Sequence, residues 1–333
     1  MGLFSSYNFR KSLYKKLLAD YKTQLMAHCD FDALQADNYI TANSDKVDFE
    51  VNKAVFMKAG EFTETVANKP ANMEALNVSH KRYGYTKHEI FGDREIRLEL
   101  TPVNEFLDDP LSMEELNKYI KEKGLPSDIK LQQVLSGDFN GLVAEFYRHF
   151  LGDKQFRLYK PDAQNFTAEN VYMFPWQYLR VAGTKGGDCE DKAIFFTRLT
   201  TMPAKNSLSP EDYKSILMPL VHVVAGDLKN YGGHVQASFL DTDNLMTHRV
   251  AETTLHPPRG QNEDSFFSSR IRNVSSFDAL PVLGRSAECV ENLHLAFNDA
   301  RIWNRFNPTP PKKDRKQFVA EAAYAFDVSS FNW

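Results

Sequence analysis

What this chain has little of narrows the reading first. Only 3 of its 333 residues are cysteine (Cys29, Cys189 and Cys289). They cannot all pair, and none stands in the CxxC spacing of a zinc site. Free thiols in a reducing compartment are the simplest account. There is no apolar run near the ~18 residues a membrane span needs, and no apolar signal core with a cleavage site at the start. The expectation is a cytoplasmic protein, or a virion protein if the gene is phage-borne. Charge of one sign is also lacking. The formal net charge is −4, which gives no reason to expect nucleic acid as a partner. Internal repeats and low-complexity tracts are absent as well.

What is present fits a folded globular chain, with 42% hydrophobic and 25% charged residues. The length allows one large domain or two ordinary ones. MGLFSS at the start fits the loose MGxxx[ST] acylation pattern. The following NFRKSLYKKLLADYKTQLMAH places Leu13, Tyr14, Leu17, Leu18, Tyr21 and Leu25 on one helical stripe, read as a docking helix in preference to a membrane anchor. KVDFEVNKAVFM and REIRLEL alternate apolar with polar residues and predict strands, the second ending near Leu100. SMEELNKYIKEKGLP predicts a helix between a Ser112–Glu115 capping box and Gly124–Pro126. DFNGLVAEFYRHFLG predicts another, with Phe139, Leu142, Val143, Phe146, Tyr147 and Phe150 inward and His149 at its boundary. Three regions result: residues 1–110 with a helix and strands, a central unit at 111–258, and a loop-rich extension at 259–333.

The stretch GTKGGDCEDKAIFF carries the chemistry. Gly186 and Gly187 permit a tight turn, and Asp188 is a good N-cap for a helix starting at Cys189. Asp188 and Asp191 have capping-pair spacing, and Ala193, Phe196, Leu199 and Thr200 mark an inward side ending before Pro203. First-turn N–H groups and the helix dipole favour a thiolate and can donate to an oxyanion. The flanking carboxylates oppose ionisation, so a nucleophile here needs a cationic partner such as an imidazolium. A small buried hydrophobe at a helix start is the alternative.

His222, in LVHVVAG, is apolar on both sides and reads as a core histidine. His234 follows Gly232 and Gly233 at a strand mouth, where its ring can face a cleft. LDTDNL then turns the chain, and THRVAETTLH resumes strand. With Asp243 at the centre of the hairpin, His234 and Glu252 oppose each other on one face. Asp241 and Asp243 sit at the closed end, out of reach. His248 and His256 read as surface residues.

GGDCEDKA, a glycine-preceded HV at a strand start, and an acid followed by TT together resemble the Cys-His-Asp core of the transglutaminase-like superfamily. FPWQYLRVAGTKGGDCEDKA is similar to the stretch before the nucleophile in bacterial transglutaminase-like cysteine proteinases, and GDC[DE]DKA also occurs among phage-borne members. The resemblance spans roughly residues 155–258. It implies an α+β fold of papain/transglutaminase-like type, with a helix bearing the cysteine packed on an antiparallel sheet bearing histidine and acid. It makes Cys189 the nucleophile, His234 the base and then acid, and Glu252 the orienting acid. The superfamily carries Asp in that last place, so one extra methylene must be accommodated. Gln177 matches a polar helper before the nucleophile and is an oxyanion candidate, with a surface amide as the other reading. Asp188 and Glu190 match acids that hold Ca²⁺ in calcium-dependent members, although two carboxylates fall short of a full site.

The function expected is cysteine acyl transfer through a thioester, as an amide or peptide hydrolase acting on protein or peptide, with no required cofactor beyond a candidate Ca²⁺. The alternative is a structural or assembly component, of a phage particle for example, that keeps the fold and contacts copies or partners through its C-terminal extension.

Overall fold

The computed structural model describes residues 8–65, 69–70, 75–78, 85–91, 94–165, 171–228, 232–245, 247–254, 271–275, 290–304 and 315–328. MGLFSS, His256, Cys289 and the final FNW lie outside the described residues. The architecture is mixed helix and antiparallel sheet.

Helix α1 (Phe9–Cys29) buries Phe9, Leu13, Leu17, Tyr21 and Leu25, a row at steps of four. Asn8 caps it by accepting from the Lys11 N–H at 2.8 Å. Tyr14 and Leu18 pack only along the edge of this row. After α2 (Ala33–Ala42) comes the first correction. Residues 46–57 are not a strand but lie in helix α3 (Ser44–Thr65). Val47, Val51, Ala54, Val55, Ala59 and Phe62 are buried, and their spacing is that of a helical stripe. The alternation through Val47, Phe49 and Val51 was a short coincidence; Phe49 is only half-buried.

Strands β1 (Lys69–Pro70), β2 (Ala75–Val78), β3 (Tyr85–Phe91) and β4 (Arg94–Pro102) follow. REIRLEL is strand, as its alternation predicts. Helix α4 (Val103–Leu107) leads into α5 (Pro110–Lys123), whose cap differs from the expected one. Asp109, not Ser112, is the N-cap, and its carboxylate accepts from the Ser112 N–H at 2.8 Å and hydroxyl at 3.1 Å. Pro110 at the first helical position explains the displacement, since it needs no donor partner there. Asp109→Ala is expected to lower stability by about 1 kcal/mol, read as a shift in denaturant midpoint at constant slope. Gly124 ends α5 in the left-handed conformation (φ 64°).

Helices α6 (Leu131–Ser136) and α7 (Asp138–Gly152) follow, and α7 buries all six residues named for it in the sequence together with Leu151. His149 is half-buried against the Tyr119 hydroxyl at 2.7 Å. Short helices α8 (Asp162–Asn165) and α9 (Pro175–Val181) precede α10 (Cys189–Ser207). Every residue of α10 from Cys189 to Ala204 is buried, so it is a central helix and not a one-sided one. It also runs through Pro203, where a stop was expected. The Thr200 and Thr201 hydroxyls donate to the Phe196 and Arg198 carbonyls in the turn before that proline. Burial on all sides outweighs the few kcal/mol a proline costs within a helix.

After α11 (Pro210–Asp212) come β5 (Val221–Leu228), β6 (Gly232–Leu240), β7 (Thr247–Ala251), β8 (Ile271–Ser275), β9 (Val290–Phe297), β10 (Arg301–Asn304) and α12 (Arg315–Glu321). The larger sheet has the order β1-β10-β9-β5-β6-β7-β8 and the smaller β2-β4-β3. Among the described strands every pairing is antiparallel. Helix α10 packs on β5 and β6 at the sheet's centre. Phe196 meets Phe239 of β6 edge-on at 5.9 Å and Tyr147 of α7 at 5.5 Å. The sheet thus combines β1, from before α5, with β8, β9 and β10, from beyond residue 258, and its middle strands face the helix that begins at Cys189.

Candidate functional site

The glycine pair before the cysteine answers two different demands. Gly186 has φ +72°, a region side chains disfavour, and a Cβ there would lie 2.8 Å from Leu158 Cγ. At Gly187 a Cβ would meet Asp191 Oδ2 at 2.7 Å and the Tyr178 ring at 2.9 Å. The close approach lets Tyr159 bridge Gly187, with the Lys160 N–H donating to the Gly187 carbonyl at 3.1 Å. Asp188 caps α10 as expected, with its own N–H reaching back to Asp191 Oδ2 at 3.3 Å. Cys189 therefore occupies the first helical position, 9% exposed.

Its sulfur donates to Glu190 Oε2 at 3.0 Å. Burial pushes the thiol far above its usual range; the Glu190 and Asp188 carboxylates add to this, while the Val235 backbone amide acts in the opposite direction. Val235 follows His234 on β6, so α10 and β6 bring the thiol to the residue beside the imidazole.

The hairpin register differs from the one expected. Ala237 pairs with Ala251 and Ser238 with Val250, which centres the turn on Asn244 instead of Asp243 and continues to place Gln236, not His234, opposite Glu252. His234 is displaced by two residues from that partner. Because strand side chains alternate with period two, this even displacement keeps the ring and the carboxylate on one face. His234 Nε2 and Glu252 Oε2 are 2.8 Å apart. Spanning a diagonal takes reach, and the extra methylene of Glu over Asp supplies it.

Glu252 is 2% exposed and fully engaged. Oε2 also accepts from Gln236 Nε2 at 2.8 Å, and Oε1 from the Thr254 N–H at 2.7 Å and its hydroxyl at 2.5 Å. Burial would raise this carboxyl, yet bonds from His234, Thr254 and Gln236 hold it down at about 2. Glu252 is therefore an anion throughout the neutral range, and Nδ1 is the nitrogen of His234 left to face elsewhere. The closed end of the hairpin has a structural task. Asp241 accepts from Arg249 Nε at 3.0 Å, Asn140 Nδ2 at 3.1 Å and the Asp243 N–H at 2.8 Å. His222 is fully buried on β5.

Gln177 is not a surface amide. It is 7% exposed, and its Oε1 accepts from the Phe174 N–H at 2.9 Å at the start of α9. Its side-chain carbonyl is thereby engaged, and any donation to an oxyanion would have to come from Nε2.

Asp188 and Glu190 belong to a larger acid cluster than the sequence suggests. Asp188, Cys189 and Glu190 form one group whose ligand atoms lie within 4.8 Å, and Asp162, Asp188 and Asp191 form another. The Asp162 N–H donates to Asp188 Oδ2 at 3.3 Å, and Asp191 Oδ1 accepts from the Met173 N–H at 2.7 Å. Burial raises all four acids, Asp162 to about 7 and Glu190 and Asp191 well above the carboxylate range; neighbouring carboxylates add to this for Asp162, Glu190 and Asp191, whereas hydrogen bonds from Glu190 and backbone amides partly offset it for Asp188. Among the described residues, Asp162 Oδ1 and Asp188 Oδ1 are buried with no hydrogen-bond partner. Hard oxygens so placed in a compact carboxylate group suit a hard dication such as Ca²⁺.

Sequence reasoning missed four residues here. Gln236 shared the parity of His234 and was findable two positions along the strand. Lys192 lay one helical turn beyond Cys189; it is fully buried, and burial lowers its ammonium to about 8 against the pull of Glu252, Asp188 and Asp191. Asp191 was seen only as a cap. Asp162 had no local signal.

No family profile matches the chain, and no curated protein matches it. Among solved structures, the chain is similar to calcium-bound LapG of Legionella pneumophila, at 14% identity and a TM-score of 0.31, over 62% of this chain and 96% of that one. EGTA-treated LapG of the same organism matches at 12% identity and a TM-score of 0.26, over 58% and 85%. Both are distant likenesses.

Proposed function

We propose that this chain is a transglutaminase-like cysteine acyl-transfer enzyme, an amide or peptide hydrolase working through a thioester. The observation that carries the reading is the His234–Glu252 pair at 2.8 Å, on the strand whose next residue meets the Cys189 sulfur at a helix start. In this reading the catalytic unit lies within residues 111–258, a papain/transglutaminase-like core flanked by 1–110 and 259–333. The substrate is a protein or peptide.

The steps follow from the residues. His234 Nδ1 takes the thiol proton, while Glu252 holds the opposite N–H and offsets the imidazolium charge. The thiolate attacks an amide carbonyl, and first-turn amides of α10 donate to the oxyanion. Gln177 Nε2 is the side-chain candidate for the same task. The imidazolium returns its proton to the leaving amine, leaving a thioester on Cys189. Water, deprotonated by His234, then attacks the thioester carbonyl and releases acid and thiol. An amine in place of water would make the same site a transamidase.

Asp162, Asp188, Glu190 and Asp191 would hold a divalent cation, and this would supply positive charge beside the sulfur. The thiol's bond to Glu190 keeps it protonated, because a neutral S–H is the donor in that bond. That same feature favours a second reading, in which the fold persists without turnover as a structural component.

Labelling separates the two. Iodoacetamide or a peptide aldehyde, followed by mass spectrometry with and without Ca²⁺, is expected to modify Cys189 in preference to the half-buried Cys29. Modification of Cys29 alone, or of no cysteine, favours the structural reading.

A further inference from the structure

Two segments run side by side up to the cysteine. Residues 154–160, KQFRLYK, and residues 182–187, AGTKGG, lie in parallel. A Cβ at Gly183 would stand 3.5 Å from the Gln155 Cβ, Gly186 stands against Leu158, and Tyr159 bridges Gly187. Asp188 and Cys189 come next in the chain. The glycines fix this course, because side chains at 186 and 187 would press on Leu158 and on Tyr178 and Asp191.

The ledge so formed has two properties in one place. Leu158 and Tyr159 are 41% and 48% exposed; the other exposed large apolar side chains among the described residues, Met26 and Leu34, lie on α1 and α2. The two segments also carry Lys154, Arg157, Lys160 and Lys185 and no acid, although the chain's net charge is −4. Lys154, Lys160 and Lys185 make no ion pair with any described residue. The acids flanking the segments in the chain are committed elsewhere: Asp153 pairs with Lys123, and Asp162 and Asp188 are buried. Exposed apolar surface ringed by uncompensated cations is the mark of a surface that meets a partner.

We propose that this ledge docks the protein substrate, taking an acidic segment that carries a large apolar or aromatic side chain close to the bond attacked by Cys189. The proposal rests on reading Cys189 as the nucleophile. The substrate's apolar group would cover Leu158 and Tyr159 and remove apolar area of both from water. Its carboxylates would meet the lysines, steering the encounter and fixing its direction. An anionic membrane offers the same charge, but the surface that beds in lipid is an amphipathic helix with cations and apolar groups on opposite faces. Residues 157–160 are not helical, and cations and apolar groups alternate along them.

The test uses the full chain and three peptidyl chloromethyl ketones, built on Asp-Phe-Glu, Asp-Gly-Glu and Lys-Phe-Lys. Labelling of Cys189 is followed by mass spectrometry at rising reagent concentration. The expected result is a half-saturating concentration about tenfold lower for Asp-Phe-Glu than for the other two, with similar rates at saturation. Lys160→Glu with Lys185→Glu is expected to reverse the charge preference, and Tyr159→Ser to weaken the preference for Phe over Gly, with thermal midpoints close to wild type. Raising salt from about 0.05 M to about 0.5 M is expected to erase most of the charge preference.

Equal half-saturating concentrations for the three reagents, with Cys189 still labelled, overturn the docking surface and leave the acyl-transfer reading standing. A fluorescent Asp-Phe-Glu peptide amide separates the converse case. Anisotropy showing that it binds wild type but not the double glutamate variant, with Cys189 inert to every reagent, upholds the surface and removes the nucleophile. Neither binding nor labelling overturns both. Sedimentation with phosphatidylserine-containing vesicles that depends on Lys160 and Lys185, without peptide binding, gives the ledge to a membrane and overturns the proposal.

Discussion

Replacing Glu252 by alanine is expected to slow acylation of Cys189 by about 10³–10⁴-fold and to cost about 3 kcal/mol of stability. The two losses have separate causes. Glu252 is buried and accepts from His234, Gln236 and both the backbone and hydroxyl of Thr254. Removing it leaves those buried donors without their acceptor. The rate loss comes from His234, which loses both the anion that fixes its tautomer and the charge that stabilises its imidazolium. Glu252→Gln divides the effects. Its remaining carbonyl can still serve Thr254, so most of the stability returns, but its amide cannot offset an imidazolium, so the rate does not. Labelling rates with a peptidyl electrophile, read by mass spectrometry beside denaturant midpoints, check both. Similar labelling rates in all three proteins would remove Glu252 from the mechanism.

How far the sequence foretold this arrangement depends on the range of each signal. The helix start at Cys189 was legible because caps and glycines act within a few residues: Asp188, Gly186 and Gly187 each have the local role their chemistry indicates. The meeting of His234 and Glu252 was legible for a subtler reason. Locating a turn to within one residue moves the partner by two, and the sheet's alternation makes any even error harmless to the face. The exact pairing was wrong, but the shared side of the sheet was not. The strand assigned to residues 46–57 failed because three alternating residues cannot be told from a helix until the steps to Ala54, Val55, Ala59 and Phe62 are counted. Pro203 predicts a stop because local propensity carries no knowledge of burial, whereas α10 is buried from Cys189 to Ala204. Asp162 was invisible for a topological reason. It reaches the nucleophile loop only because Tyr159 and Lys160 run alongside Gly187, and nothing in its own neighbourhood announces that contact.

Acidifying the metal-free protein from pH 8 to about pH 5 is expected to raise its thermal midpoint, by more than about 5 °C, and saturating Ca²⁺ is expected to abolish most of that dependence. The sign follows from the direction of the shifts. Asp162 stands at about 7 in the folded chain against roughly 4 for an unfolded aspartate. The folded state therefore holds this proton more tightly, and stability falls as pH rises from about 4 through about 7. Asp188, Glu190 and Asp191 are shifted the same way, so their contributions reinforce it. Glu252 works in the opposite sense. Held at about 2, its stabilisation is complete above its ordinary value near 4.5 and disappears only as pH falls toward 2, below this range. A dication bound by the carboxylates replaces the protons as the source of positive charge, which makes the ionised cluster the stable one and flattens the profile. Thermal melts across this range in EGTA and in CaCl₂ measure both arms. A metal-free midpoint that falls on acidification would mean that the four acids do not share one buried site, and the case for a cation there would go with it.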